Sequence, residues 1–313
     1  MARTFIFLGI CTALSIVAFM VLGARGNWDF ILSFRGIKLA ALVIVAIAIA
    51  TATIVFQTLT SNRILTPSIM GFDALYILLQ TTLVFTLGSF GYVTLQPEMK
   101  FALELLLLSS AALLLFGTLL GRGIQDLFRM LLVGVVFGVL CRSLTSLLQR
   151  LIDPNEFSFL QGSLFASFNR VDTKLLMIAA PLVLGSCVLV WRKRYVLDVM
   201  ALGRDQAINL GINYRRELLI GLTLVTALVA TSTALVGPVT FFGLLVSAIS
   251  YELVKTHNHG PVLIIAGLIS ITVLVGGQAV FERVLGMSAT LSIVIEFLGG
   301  LVFLFLILRK VRA

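Results

Sequence analysis

The chain has 313 residues, 59% of them hydrophobic and 12% charged, with a net charge of +9 and a mean hydropathy of +1.11. A soluble protein of this length carries about twice that share of charge, so a soluble globular enzyme is excluded and an all-α, polytopic membrane protein is expected. The basic residues sit between apolar runs, not in an aromatic-laced soluble segment, which argues against nucleic acid as a partner. Cys11, Cys141 and Cys187 lie inside apolar stretches at no metal-like spacing and read as buried free thiols.

Taken in order, the first apolar run spans Thr4 to Gly23. Arg3 before it resembles the start of a signal peptide. No small-x-small cleavage site followed by a soluble domain appears, so it reads as a retained span. A polar link, Ala24 to Gly36, precedes span two, Ile37 to Leu59. Thr60 to Thr66 ends at Pro67, and span three covers Ser68 to Leu87. Gly88 to Gln96 reads as a turn-rich connector. Pro97 suits the first turn of span four, which ends near Leu120. Gly121 to Ile124 is a tight basic turn before span five, Asp126 to Arg150. Asp153-Pro154-Asn155-Glu156 opens a segment of roughly 20 residues that is too polar to cross, and it reads as a short helix at the membrane surface. Span six covers Thr173 to Trp191 and span seven Leu218 to Val236. Gly237-Pro238 breaks the chain before a shorter span eight ending near Lys255. Pro261 to Val280 and Met287 to Leu308 make spans nine and ten. The whole chain, 1–313, reads as one transmembrane domain of about ten helices. Ten spans put both termini on one side. That side receives fourteen Lys and Arg against nine on the other, so both ends are expected in the cytoplasm. Spans two to five and seven to ten form two four-span blocks, each with a Pro-interrupted link near its start, at Pro67 and Pro238.

Trp191 to Glu217 is the longest polar interval between two long apolar runs. It holds Arg192, Lys193, Arg194, Arg204, Arg215 and Arg216. Val196 to Ala201 suits one short helix and Arg204 to Leu210 a second, with Gly203 as the break, Asp205 in a first turn and Gly211 at a position favouring positive φ. Two readings fit: a solvated positive-inside loop, or a platform that receives force from a cytoplasmic partner. In the second, Val199, Met200, Leu202 and Leu210 fill a groove of that partner, Arg204 and Asp205 sit at its rim, and Gly203 sets the angle between the pieces.

Other polar residues fall at membrane depth: Asp73, Glu104, Arg142, Gln278 and Glu296. A charge near mid-span costs roughly 2.5–3.5 kcal/mol on insertion scales, so these should face protein or water. Arg142 and Glu296 are the candidates for a pathway or subunit interface, and Asp73 reads as a cap for span three. His257-Asn258-His259, without Cys or carboxylate partners, reads as an ordinary polar turn and not a metal site. No Gly-rich loop ending in Lys-Ser or Lys-Thr is present, so the chain is not expected to hydrolyse ATP.

The stretch Phe56-Gln57-Thr58-Leu59-Thr60-Ser61-Asn62-Arg63-Ile64-Leu65-Thr66-Pro67-Ser68-Ile69-Met70-Gly71 is the most specific. Asn62 and Thr66 are placed to satisfy free backbone groups, and Pro67 and Gly71 to set the entry of span three. It resembles the Asn-Pro-Leu-Ala-x-Pro-x-x-Leu-Gly segment in permease subunits of iron-siderophore and cobalamin ABC importers. Asn62, Pro67 and Gly71 are in register, and Arg63 stands in place of a proline. Ala201-Leu202-Gly203 to Leu210-Gly211 resembles that family's ATPase-docking loop. Gly237-Pro238-Val239-Thr240-Phe241-Phe242-Gly243-Leu244 resembles its Gly-x-x-x-Phe-x-Gly-Leu segment, with Ser247 and Ala248 where Pro-His usually follows. Arg35-Gly36-Ile37-Lys38 resembles its Arg-x-Pro-Arg entry to span two, and Arg283 its arginine after span nine. The variant Gln-Thr-Leu-Thr…Thr-Pro-Ser-Ile-Met-Gly-Phe-Asp is similar to the catecholate-siderophore branch.

The resemblance implies a cobalamin-permease-like fold and transport of ferric siderophore across a bacterial inner membrane. It implies a second, homologous permease, two cytoplasmic ATPases that bind the ATP and Mg, a periplasmic siderophore-binding protein, and no cofactor in this chain. Arg35, Lys38 and Arg283 would face acidic residues of the binding protein; snorkelling to lipid phosphates is the other reading of each. The alternatives are an ion-coupled secondary transporter using Asp73 or Glu296, and a membrane scaffold without transport.

Overall fold

The computed structural model describes residues 2–24, 28–120, 127–164, 166–168, 171–254, 256–284, 286 and 291–311. Arg25, Arg122, Arg170, Lys255 and Arg312 of the charge count lie outside the described residues. So do the 121–124 turn and the expected boundaries Asp126 and Met287.

The helices are α1 (Ala2–Val21), α2 (Trp28–Leu59), α3 (Phe72–Thr94), α4 (Pro97–Leu120), α5 (Leu127–Leu151), α6 (Pro154–Ser163), α7 (Thr173–Arg192), α8 (Arg194–Met200), α9 (Arg204–Asn209), α10 (Tyr214–Val236), α11 (Phe242–Leu253), α12 (His259–Ala279) and α13 (Leu291–Val311). Among the described residues seven stretches are long and apolar enough to cross a membrane. With α4, α11 and α13 they make up the ten expected spans.

α2 is the central post. Its apolar window is 72% buried, against 17% for α1 and α7, and α7, α10, α11 and α12 lie against it. Its composition explains this. Ala41, Ala46, Ala48, Ala50 and Ala52 are all buried, and small side chains let neighbouring backbones approach where lipid supplies no hydrophobic drive. α2 also begins at Trp28, nine residues before the apolar run, so most of the expected link Ala24 to Gly36 is helix. Polar residues there do not end the helix because Arg35 finds partners inside the protein.

Span three starts later than expected. Pro67–Met70 is a single 3₁₀ turn, and α3 begins only after Gly71, whose φ is +96°. A Cβ there would lie 2.9 Å from the Gly138 Cα on α5. Gly71 is thus required for its backbone angle and for the α5 crossing. We expect Gly71→Val to cost a few kcal/mol from overpacking and a disfavoured φ, read as a large drop in Tm and in monodisperse yield. Gly162→Ala, where a Cβ meets nothing within 4 Å, is the control. Equal Tm values for the two variants would contradict this packing.

The expected connector Gly88 to Gln96 is also helical, to Thr94, with one kink at Gly88 (φ 68°, ψ 172°). The break frees the Ser89 N–H, which donates to Glu156 Oε1 of α6 at 3.3 Å. Tyr92 and Phe159 rings meet edge to face 5.5 Å apart, so α6 lies across the kink. α11 has 12 residues, about 18 Å of helix at 1.5 Å per residue, short of a hydrocarbon core of about 30 Å. Gly237-Pro238-Val239 precedes it as non-helical backbone. That backbone is covered: Val236 and Val239 are buried, and the Val236 carbonyl accepts from the Ser167 N–H at 2.8 Å, as a membrane interior requires.

Candidate functional site

The loop between α7 and α10 is built, not slack. Lys193 Nζ pairs with Glu217 Oε2 at 2.6 Å, tying its start to α10. Arg194 stacks on Trp191 and Tyr195, 4.6 and 4.4 Å from their ring centroids. α8 and α9 meet at Gly203, whose φ of +101° and ψ of 167° are conformations an L side chain adopts only under strain. Gly211 follows α9 with a φ of +84°. Asn213 caps α10, its Oδ1 accepting from the Arg216 N–H at 3.2 Å.

The two helices have an inner and an outer face. Leu197, Met200 and Ala207 are buried in the core, and Val199 packs partly against it. Leu202, Ile208 and Leu210 stand 57%, 47% and 62% exposed, beside exposed Arg204 and Asp205. Met200 therefore cannot fill a partner's groove, and Val199 can do so only in part. Ile208, which sequence reasoning passed over, joins the outward apolar set. The helical period turns Ile208 about 100° from its neighbour Ala207, and only the packing of α9 shows that Ala207 faces inward and Ile208 outward.

A second departure lies beneath α8. His259 is not part of an idle turn. It is the first residue of α12 and is buried. Asp198 Oδ1 on α8 accepts from the His259 backbone N–H and lies against His259 Nδ1, both at 2.6 Å. His259 Nε2 is 2.7 Å from Thr58 Oγ1 on α2, and Thr58 donates to the Ile54 carbonyl at 2.9 Å. One chain of hydrogen bonds thus joins the surface loop, the start of α12 and the central post. The adjoining turn is held by Gln57, whose Nε2 donates to the Arg63 carbonyl (2.7 Å) and to Ser247 Oγ (2.9 Å). Asn62 Oδ1 accepts from the Ile64 N–H at 3.0 Å, as its place in the motif suggested. Thr66 makes no side-chain cap bond. Gly237, Pro238 and Phe241 form the entry to α11. A Cβ on Gly243 would fall 2.1 Å from Thr53 Oγ1, so α11 crosses α2 closely.

At the opposite end, the three expected mouth charges differ. Arg35 is 6% exposed, and its Nη1 donates to the carbonyls of Phe19, Met20 and Leu22 at 3.2, 2.7 and 3.0 Å. It satisfies the carbonyls that the end of α1 leaves unpaired, so it is an internal cap and not an outward charge. Lys38 is paired with Glu282, which Gln278 also contacts. Arg283, in a π-helical turn continuing α12, is exposed and 3.9 Å from Glu282 Oε2.

Within the helix layer the structure brings Asp73, Thr240 and Glu296 together: Thr240 lies beside both carboxyl groups, and Arg142 acts on Asp73. Asp73 is not the cap of α3, whose N-cap is Gly71 without a side-chain bond. Arg142 itself is exposed on α5. Glu104 is buried elsewhere, accepting from Gln80 Nε2 at 2.6 Å.

The chain matches the FecCD transport family over residues 4–309. It is 45% identical to the petrobactin import system permease protein YclO of Bacillus subtilis (strain 168) over 285 residues, 91% of this chain and 90% of that one. It is 33% identical to the petrobactin import system permease protein FatC of Bacillus anthracis, across 88% of this chain and 78% of that one. A solved structure of a metal-chelate type ABC transporter in an inward-facing conformation superposes with a TM-score of 0.84 at 20% identity, covering 98% of both chains. A match across nearly the full length in family, relatives and fold leads to one conclusion: the chain belongs to the FecCD transport family.

Proposed function

We propose that this chain is the membrane-spanning permease subunit of an ABC importer that carries a ferric siderophore across the bacterial inner membrane. The reading rests above all on the outward apolar set Leu202, Ile208 and Leu210, held on a loop that hydrogen bonds fasten to α2 and α12. Such a surface can take force from a soluble ATPase and pass it into the bundle. ATP and Mg belong to that partner, and this chain hydrolyses nothing itself. The relatives named as petrobactin import permeases support a ferric siderophore as cargo. A second, homologous permease completes the path. Exposed Arg142 on α5 supports this, since a charge at membrane depth needs protein or water against it. The experiment is co-purification with the cytoplasmic ATPase, followed by ferric siderophore uptake in vesicles. Uptake should require ATP and survive a protonophore. Uptake driven by a proton gradient without any ATPase would instead favour Asp73 and Glu296 as an ion-coupling pair.

The charge bias supports both termini in the cytoplasm. Reporter fusions after Val311 and within Asn155–Ser163 should report opposite sides, and same-side signals would refute the orientation. The periplasmic siderophore-binding protein then meets the face carrying Arg283. Arg283→Glu should weaken its docking by about tenfold at low salt, with less effect at high salt. Arg35→Gln should lower Tm, with the docking surface untouched. Undiminished docking of Arg283→Glu would remove that residue from the interface.

A further inference from the structure

The two chain breaks that Pro67 and Pro238 mark in the sequence meet in space. The turn at 66–68 and the non-helical Val239 and Thr240 line one small cavity, closed on its other sides by α2, α10 and the start of α11. Its volume is about 20 Å³, room for a single water or a single small ion. Paired interruptions at corresponding points of two blocks are where helical transporters build ion sites, because a broken helix leaves oxygens uncommitted.

Here the oxygens belong to hydroxyl side chains: Thr53 of α2, Ser232 and Thr233 of α10, and Ser68 and Thr240 of the two breaks. Thr53 and Thr233 are 2% and 4% exposed, and among the described residues neither hydroxyl has a hydrogen-bond partner. Neither oxygen is sealed off as the Thr66 hydroxyl is. A Cβ on Gly243, in the cavity wall, would lie 2.1 Å from Thr53 Oγ1, so the glycine leaves that oxygen its opening. Buried hydroxyls in this state call for an occupant.

Charge decides which occupant. Ser68 and Thr240 lie beside the Asp73 carboxyl, and Thr240 also beside Glu296. A hydroxyl that gives its proton to a carboxylate turns only lone pairs to the cavity. Ser232 does the same by donating to the Val229 carbonyl at 3.0 Å. Among the described residues Arg142 is the cation that acts on Asp73. Two carboxylates against one guanidinium leave one negative charge at membrane depth, which is costly without a counter-charge. A water would fill the space but bring no charge. An anion would be repelled, and a divalent ion would overshoot by one charge. A monovalent metal cation meets both the hydroxyl oxygens and the missing charge, and Na⁺, the smaller of the two common ones, suits so confined a space.

We propose that this cavity binds one Na⁺ ion, held by the hydroxyls of Thr53, Ser68, Ser232, Thr233 and Thr240. Asp73 does not touch the ion. It acts through Ser68 and Thr240 and, with Glu296, supplies the charge. The ion ties together the two breaks of the chain, whichever energy source drives uptake.

The test uses the full-length permease in phosphatidylcholine nanodiscs, held in choline chloride at constant ionic strength, with ²²Na⁺ as the probe. We expect one saturable site per chain, displaced by NaCl and less well by KCl, and a Tm that rises with NaCl above its value in choline. Thr53→Val and Ser232→Ala should each weaken Na⁺ by at least about tenfold, with Tm in choline unchanged. Asp73→Asn should abolish the sodium-dependent rise in Tm. No saturable ²²Na⁺ binding by the unmutated chain, KCl competing as well as NaCl, or Thr53→Val binding as tightly as the unmutated chain overturns the proposal. A Tm that follows pH and ignores Na⁺ also overturns it, since a proton then supplies the missing charge. Neither ATPase nor siderophore is present, so a failure here and a failure of the importer reading are separate results.

Discussion

Leu202→Asp is expected to abolish co-purification of the ATPase while the permease stays folded and inserted. Leu202 is 57% exposed on the loop between α8 and α9, so an aspartate there is solvated in the free permease and costs its fold little. Docking would transfer that carboxylate into an apolar groove without a partner. Such burial costs on the order of a few kcal/mol, and each 1.4 kcal/mol is about tenfold in affinity, so the complex should weaken roughly a hundredfold. Ile208→Asp should act alike. Met200→Asp should not: Met200 is 2% exposed, and its replacement should lower Tm and yield before any partner is added. Gly203→Val should sit between these outcomes, because its φ of +101° fixes the angle between the helices. Pull-down with the ATPase, thermal unfolding and vesicle uptake separate the cases. Normal association and normal uptake by Leu202→Asp would end the coupling role of this surface.

Breaking the Asp198–His259–Thr58 chain should give a different phenotype, in which ATP is spent without transport. The outer face of the loop is untouched by His259→Ala, so the ATPase should still bind. The inner face loses its side-chain link to α2, whose members are 2.6 and 2.7 Å apart, while the backbone N–H at 259 still holds Asp198 to α12. Removing one partner of a buried hydrogen bond costs about 1–3 kcal/mol. That is enough to shift a two-state element by roughly five- to a hundredfold, so siderophore carried per ATP should fall about tenfold. Thr58 and Asp198 communicate in this scheme only through His259. Thr58→Val and Asp198→Asn should therefore be non-additive in the transport-to-hydrolysis ratio, and the double variant should be no worse than the poorer single. Independent, additive losses would show that the three residues are separate packing contacts.

The positions of the spans were legible in one dimension, because a membrane interior demands long apolar runs with satisfied backbone. Pro97 to Leu120 is α4 as expected, and the break at Gly203 and the turn at Gly211 follow from residues whose backbone preferences are local. Other features depend on neighbours far along the chain. His259 bonds to Thr58 across 201 residues, and Lys38 pairs with Glu282 across 244. From sequence, a histidine in a polar segment and a lysine at a span's entry both look solvated. Only helix packing decides that one, at the start of α12, is buried between α8 and α2 and that the other is paired. Arg35 makes the same point: an arginine near a mouth reads as an outward charge until the end of α1 arrives with three carbonyls to satisfy. Sequence by itself determined which segments are apolar enough to enter the membrane and that the chain breaks at Gly203 and Gly211, since both follow from local chemistry; the connector expected at Gly88 to Gln96 is instead helix to Thr94. The tertiary structure alone decided which polar side chains face outward, which cap or couple helices, and which line a cavity, because each of those outcomes depends on the group that another segment places opposite.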